Sequence, residues 1–199
     1  MNMILVNGLP DNYKGIDLST DFRNMVQVDM IMGDSTLKPD EATFLALHQL
    51  YPKIPKDKRL ALEGLEWFYS CGKSENKQSK EGKPFKKTFD FNIDSNLIYA
   101  GFYSAYKISL TTIDYLHWWE FMALFEGLPE ETLIKRVMYW RGVDLSKLSK
   151  EEQKHIEEMR ELYPLGDCEH KPKTVEELNQ QTLDRVKRRF QEAHASLER

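Results

Sequence analysis

Tyr115-Leu-His-Trp-Trp-Glu-Phe-Met-Ala-Leu-Phe-Glu-Gly-Leu-Pro129 is the stretch on which the fold turns. Wound as an α-helix it is apolar on almost every side, with Asp114, His117 and Glu120 as its main polar interruptions. A helix of that kind either lies at the centre of a domain or grips another protein. Trp118 and Trp119 stand about 100° apart around a helix axis, so one narrow contact face cannot easily bury both. At least one of them is expected to reach a second element, a subunit interface or a partner groove.

Working outward, the residues on either side also read as helices. Thr111-Thr112 is placed to open the aromatic helix and Gly127 to end it. Pro129-Glu130-Glu131 then starts another, bearing Leu133, Ile134, Val137, Met138 and Trp140 and closing near Gly142. Upstream, Asp94-Ser95 opens a helix with Leu97, Ile98, Phe102 and Tyr106. Ser149 and Glu152 form a capping box, and the helix behind it has only the thin stripe Ile156, Met159, Leu162 and Tyr163, so it belongs at the surface.

Towards the N-terminus, Ser19-Thr20 is the expected start of a helix running to about Met32, with Gly33 at its end. Pro39-Asp40-Glu41 opens the next, which Pro52 stops. A further helix is expected from about Lys56 to Cys71, with Gly72 after it. The first eighteen residues read as extended: Ile4-Leu5-Val6 is strand-like, Asn7-Gly8 and Asp11-Asn12 are turn signals, and Ile16 and Leu18 flank Asp17 with period two.

Two segments differ in character. The stretch 73–88 holds Lys73, Lys77, Lys80, Lys83, Lys86 and Lys87 among Ser, Asn, Gly and Pro, and reads as an exposed loop. Beyond the linker Pro164–Pro172, a last helix from about Thr174 carries one apolar stripe through Val175, Leu178, Val186, Phe190 and Leu197. Its other side is strongly polar, which leaves it to pack loosely, pair with a partner, project or fray. The fold class is thus all-α: a compact multi-helix domain over 1–145 with a short β-like, hairpin-like N-terminal segment, and peripheral helices over 146–199.

Composition narrows the function classes. The 199 residues are 41% hydrophobic and 12% aromatic, enough for a sizeable core, and the net charge of −4 argues against a dedicated nucleic-acid binder. The basic clusters that run against this are the lysine loop, with Phe85 and Phe89 beside it, and Arg185, Lys187, Arg188 and Arg189. Two cysteines far apart, Cys71 and Cys168, fit a reducing, cytoplasmic setting. The apolar run at the start is too short for a signal peptide, and nothing approaches the roughly 18 apolar residues of a membrane span.

Catalytic and metal motifs are sparse. His117 with Glu120, and Glu152 with His155, sit at helical spacing, but a carboxylate-bridged dimetal bundle needs two Glu-x-x-His motifs and two more inward glutamates. Cys168 and His170 lie close without the further ligands zinc requires. There is no nucleophile elbow, P-loop or dinucleotide fingerprint, and no spacing selects a triad. No catalytic residue, cofactor site or metal site is assigned, and the reading is that the protein is not an enzyme. Partner contact falls to the aromatic side chains Trp118, Trp119, Phe125 and Trp140.

Several blocks, taken in order, resemble the bacteriophage gene-product-fifteen family of siphophages and prophages of Gram-positive hosts. They are Thr20-Asp21-Phe22-Arg23, then Asp94 through Ile98, Phe102 and Tyr106. The most specific is Leu116-His117-Trp118-Trp119-Glu120-Phe121 with Leu124, Gly127-Leu128-Pro129 and the following Arg141. Together they span about residues 9–145. The resemblance implies a place in the tail module, where such genes lie between those for the major tail protein and the tape-measure protein. It carries no catalytic residues. It implies a tail-assembly chaperone that coats the tape-measure protein in the cytoplasm of the bacterial host. The alternatives are a minor tail or tail-completion subunit of the virion and a nucleic-acid-binding accessory. Self-association is compatible with each.

Overall fold

The computed structural model describes residues 4–73 and 87–165. The greater part of the lysine-rich stretch 73–88, with Phe85, lies outside them. So do Cys168, His170, the arginine–lysine cluster at 185–189 and the expected last helix. The chain begins with one helical turn, α1 (Ile4–Asn7), where the sequence reads as strand. A minimal hairpin follows, β1 (Asn12–Tyr13) and β2 (Ile16–Asp17), paired antiparallel with Tyr13 opposite Ile16. Lys14 and Gly15 both take positive φ at its turn, as a tight two-residue hairpin requires.

Among the described residues seven longer helices follow: α2 (Phe22–Met32), α3 (Pro39–Leu50), α4 (Lys58–Tyr69), α5 (Ser95–Tyr106), α6 (Trp118–Glu126), α7 (Leu133–Gly142) and α8 (Lys150–Leu162). Local chemistry explains most boundaries. Asp21, rather than Ser19 or Thr20, caps α2 by accepting from Arg23 N–H. Asp57 caps α4 through the amides of Arg59 and Leu60. Pro39 occupies the first turn of α3, where its missing N–H costs nothing. The box of Ser149 and Glu152 opens α8 as expected.

Packing runs α8–α7–α5–α6–α2–α3–α4 from neighbour to neighbour. The circuit closes where the first turn of α6 meets the end of α4. The main core lies inside this circuit, with Met25, Leu50, Phe68, Phe102, Trp118, Trp119 and Phe121 almost wholly buried. The Phe121 ring stacks between Phe22 at 4.8 Å and Phe102 at 5.0 Å, joining α2, α6 and α5. Gly64 on α4 has no room for a β-carbon, because the Tyr51 hydroxyl and the Tyr13 ring pack directly over it.

Two helix starts differ from expectation. The aromatic helix starts at Trp118, six residues after Thr112, and residues 107–117 form an irregular connection pinned by Arg23. The following helix starts at Leu133, since Pro129 to Thr132 closes as a turn with Thr132 N–H on the Pro129 carbonyl. Helix α8 docks on α7 through Val137, Trp140 and Ile156, and Arg160 donates to the carbonyls of Trp140 and Val143 at 2.7 Å each. An orphaned helix end thereby receives charged donors.

Candidate functional site

The residues that sequence reading singles out converge on two buried nodes and one open cleft. The first node is the start of α6. His117 is its N-cap, an unusual one, with Nδ1 accepting from Trp119 N–H at 3.0 Å. Its Nε2 lies 2.9 Å from the Pro10 carbonyl. That oxygen can only accept, so the hydrogen sits on Nε2 and the ring is neutral. Burial holds its pKa below the ordinary histidine value, against the pull of the Pro10 carbonyl, Glu120 and Asp11.

Trp118 and Trp119 then reach in different directions around the axis. Their indole N–H groups donate to successive carbonyls at the end of α4, Trp118 to Tyr69 at 3.1 Å and Trp119 to Phe68 at 2.9 Å. Trp118 stacks on Tyr69 at 5.7 Å, and Trp119 meets the Trp67 ring at 5.1 Å. Gly72, at φ +70°, lets the chain leave α4 against the Trp119 ring. Both tryptophans are 1% exposed, Phe125 is 2% and Trp140 is 7%. The four side chains expected at a partner contact are thus packed inside the chain in the unbound protein. An adjacent pair is buried together because α4 ends at the first turn of α6, so neighbours surround both indoles.

Asp94 and Arg141 form the second node, which sequence reading did not single out as a pair. Both are buried, and they are bonded at 2.7 and 3.0 Å through both carboxylate oxygens. The guanidinium also donates to the carbonyls of Tyr163 at 2.9 Å, Thr88 at 3.1 Å and Pro164 at 3.4 Å. Asp94 in turn accepts from Asp90 N–H at 2.9 Å. With every donor matched, the pair acts as a structural clamp on α5, α7 and the segment after α8.

The open cleft, about 430 Å³, lies between α7 and α8. Tyr139, Trp140, Leu148, Glu151, Glu152, His155 and Ile156 line it. Tyr139 is 54% exposed and so available to a second molecule. The Trp140 ring is itself held from several sides, by Tyr163 at 5.7 Å, Arg136 at 5.1 Å and His155 at 6.5 Å.

Other chemistry-bearing residues are occupied locally. Among the described residues no group of three or more His, Cys, Asp or Glu could hold a metal ion. Both nitrogens of His117 are engaged, and the Glu152 carboxylate closes its capping box with Ser149. Burial pushes the Cys71 thiol up to about 12, which leaves it protonated and a poor nucleophile at neutrality. No described helix is long and apolar enough to cross a membrane.

The family model described as Bacteriophage Gp15 protein matches residues 5–165, so the match includes α8. No curated protein and no solved structure matches the chain.

Proposed function

The chain belongs to the Bacteriophage Gp15 protein family, and on that premise we propose that it is a non-enzymatic phage tail-morphogenesis protein, a tail-assembly chaperone holding the tape-measure protein. It acts in the cytoplasm of the bacterial host, before tail-tube subunits replace it on its client. The observation that carries this reading is the family match over 5–165, together with the tail-module setting that the family resemblance implies.

Surface chemistry supports it in a different place from the tryptophan pair. The apolar side chains left exposed include Leu5, Val6, Met32, Phe44 and Tyr139, the last beside the α7–α8 cleft. Capture of an apolar helical stripe uses anchors of this type, with modest affinity at each site and many copies along one client. The cleft is the contact site we favour, with Tyr139 and Leu148 as its accessible apolar walls.

Co-expression with the tape-measure protein, and of each chain alone, tests the proposal. The expected result is a tape-measure protein that is insoluble alone and recovered in a defined complex, with Tyr139→Ser lowering the yield of complex while this chain stays folded. A tape-measure protein that is soluble alone and ignores this chain overturns the reading. Detection of the chain in purified particles would move it to the structural class, a minor tail or tail-completion subunit.

A further inference from the structure

The His117 ring joins two parts of the chain that are far apart in sequence. On one side it caps α6 through Trp119 N–H, and on the other it holds the Pro10 carbonyl. It is 3% exposed and sits edge-on to Phe68 of α4 at 5.6 Å. The flanking backbone is locked to the start of α2, with Trp118 N–H on the Thr20 carbonyl at 2.8 Å and Phe22 N–H on the Leu116 carbonyl at 2.9 Å. By contrast the segment before Pro10 lies at the surface: Leu5 is 97% exposed and Val6 73%.

We propose that His117 is a protonation latch, which when neutral fastens the Ile4–Pro10 segment to the first turn of α6 and when protonated releases both. A proton on Nδ1 would face the Trp119 N–H, donor against donor, so the cap cannot survive in place. The new charge would also sit at the positive end of the α6 dipole. To be hydrated the ring must leave its site, and then the bond to Pro10 goes as well. The inference does not depend on which molecule the protein binds.

Charged groups face the ring from more than one element. Asp11 on the N-terminal segment and Glu120 on α6 both favour the protonated form. Helix α4 presents the uncharged Phe68 ring. At the start of α2, Asp21 and Arg23 neutralise each other at 2.9 Å. Burial outweighs Asp11, Glu120 and the Pro10 carbonyl, so the folded-state pKa lies below the ordinary value. A depressed pKa means the latch is closed above the unfolded-state value and opens as pH falls through the folded-state one.

The test is an NMR titration of the full chain from about pH 8 to about pH 5, following the His117 ring, the Trp119 amide and the backbone of residues 4–10. One shared transition with a midpoint below about 6.5 is expected. His117→Asn, whose side-chain oxygen can still accept at the N-cap, should abolish it. The proposal is overturned by His117 titrating at or above that value, or by a ring titration that leaves the Trp119 amide and residues 4–10 unmoved. It is equally overturned by persistence of the transition in a folded His117→Asn protein. If that variant does not fold, the wild-type titration decides alone.

Discussion

Arg141 makes five donated bonds in a site that is 5% exposed, two of them to Asp94 and three to main-chain carbonyls. Removing one partner of a buried ion pair typically costs about 3–5 kcal/mol, because the other charge is left unpaired. Arg141→Met is expected to fall in that range by chemical denaturation. Adding Asp94→Asn should recover only part of the loss, since the carbonyls of Thr88, Tyr163 and Pro164 remain without their donor. Full recovery in the double variant would mean that the carbonyl bonds contribute nothing. Trp119→Ala is a second case where fold and function are easily confused. It deletes a buried ring and the donor to the Phe68 carbonyl, at about 3–5 kcal/mol. A loss of partner capture in that variant therefore reports on folding unless its stability is measured alongside. Tyr139→Ser, at a half-exposed site, should leave the denaturation midpoint nearly unchanged.

Helix α4 is held at its start by Asp57 and at its end by the two indoles of α6, and Gly64 in its middle lets Tyr51 and Tyr13 pack against its backbone. Gly64→Ala would ordinarily favour a helix by up to about 1 kcal/mol. Here the added methyl collides with the Tyr51 hydroxyl, which donates to the Ala61 carbonyl at 3.0 Å. A net loss of about 1–3 kcal/mol is expected from overpacking, read as a lower thermal midpoint. Helix caps and stops were the most legible elements in the sequence: Gly33, Pro39, Pro52 and the Ser149–Glu152 box all lie where their chemistry places them. Thr111-Thr112 opens no helix because a hydroxyl pair is only a candidate cap: the stretch closes as a turn, with the Thr112 and Ile113 amides on the Ser109 carbonyl and Arg23 holding the carbonyls of Leu110 and Ile113. The strand-like Ile4-Leu5-Val6 became a helical turn because β1 pairs with β2, which leaves no described strand beside it. Pairing between Asp94 and Arg141, 47 residues apart, has no periodic signature at all. The same is true of Trp118 and Trp119, whose burial depends on where α4 ends.

At the scale of the molecule, stability should decline in acid. The Asp90 carboxyl lies below its usual range: burial pushes it up, but Lys87 and the amides of Ile93 and Asn92 together pull it further down. His117 is also depressed, by burial. Both shifts carry the same sign, since a depressed folded-state pKa contributes stability above the unfolded value that is lost as pH falls through the folded one. The midpoint of thermal unfolding is therefore expected to drop first as His117 protonates and again in the carboxylate range, whereas a flat profile would remove both groups from the account. Helix α8 is part of this body, held by Ile156 and Arg160, so truncation after Leu145 should expose Trp140 and destabilise the domain rather than trim a loose tail. The Leu-His-Trp-Trp block forms the interior of this Gp15-family protein, and on the proposed function partner contact would fall on other surfaces. Hydrogen exchange of the full chain, alone and with the tape-measure protein, tests it most directly. Residues 118–126 and the end of α4 are expected to be among the slowest to exchange in the free protein, with new protection on binding appearing at α7 and α8. Fast exchange of 118–126 in the free protein, turning slow only when the partner is added, would contradict it.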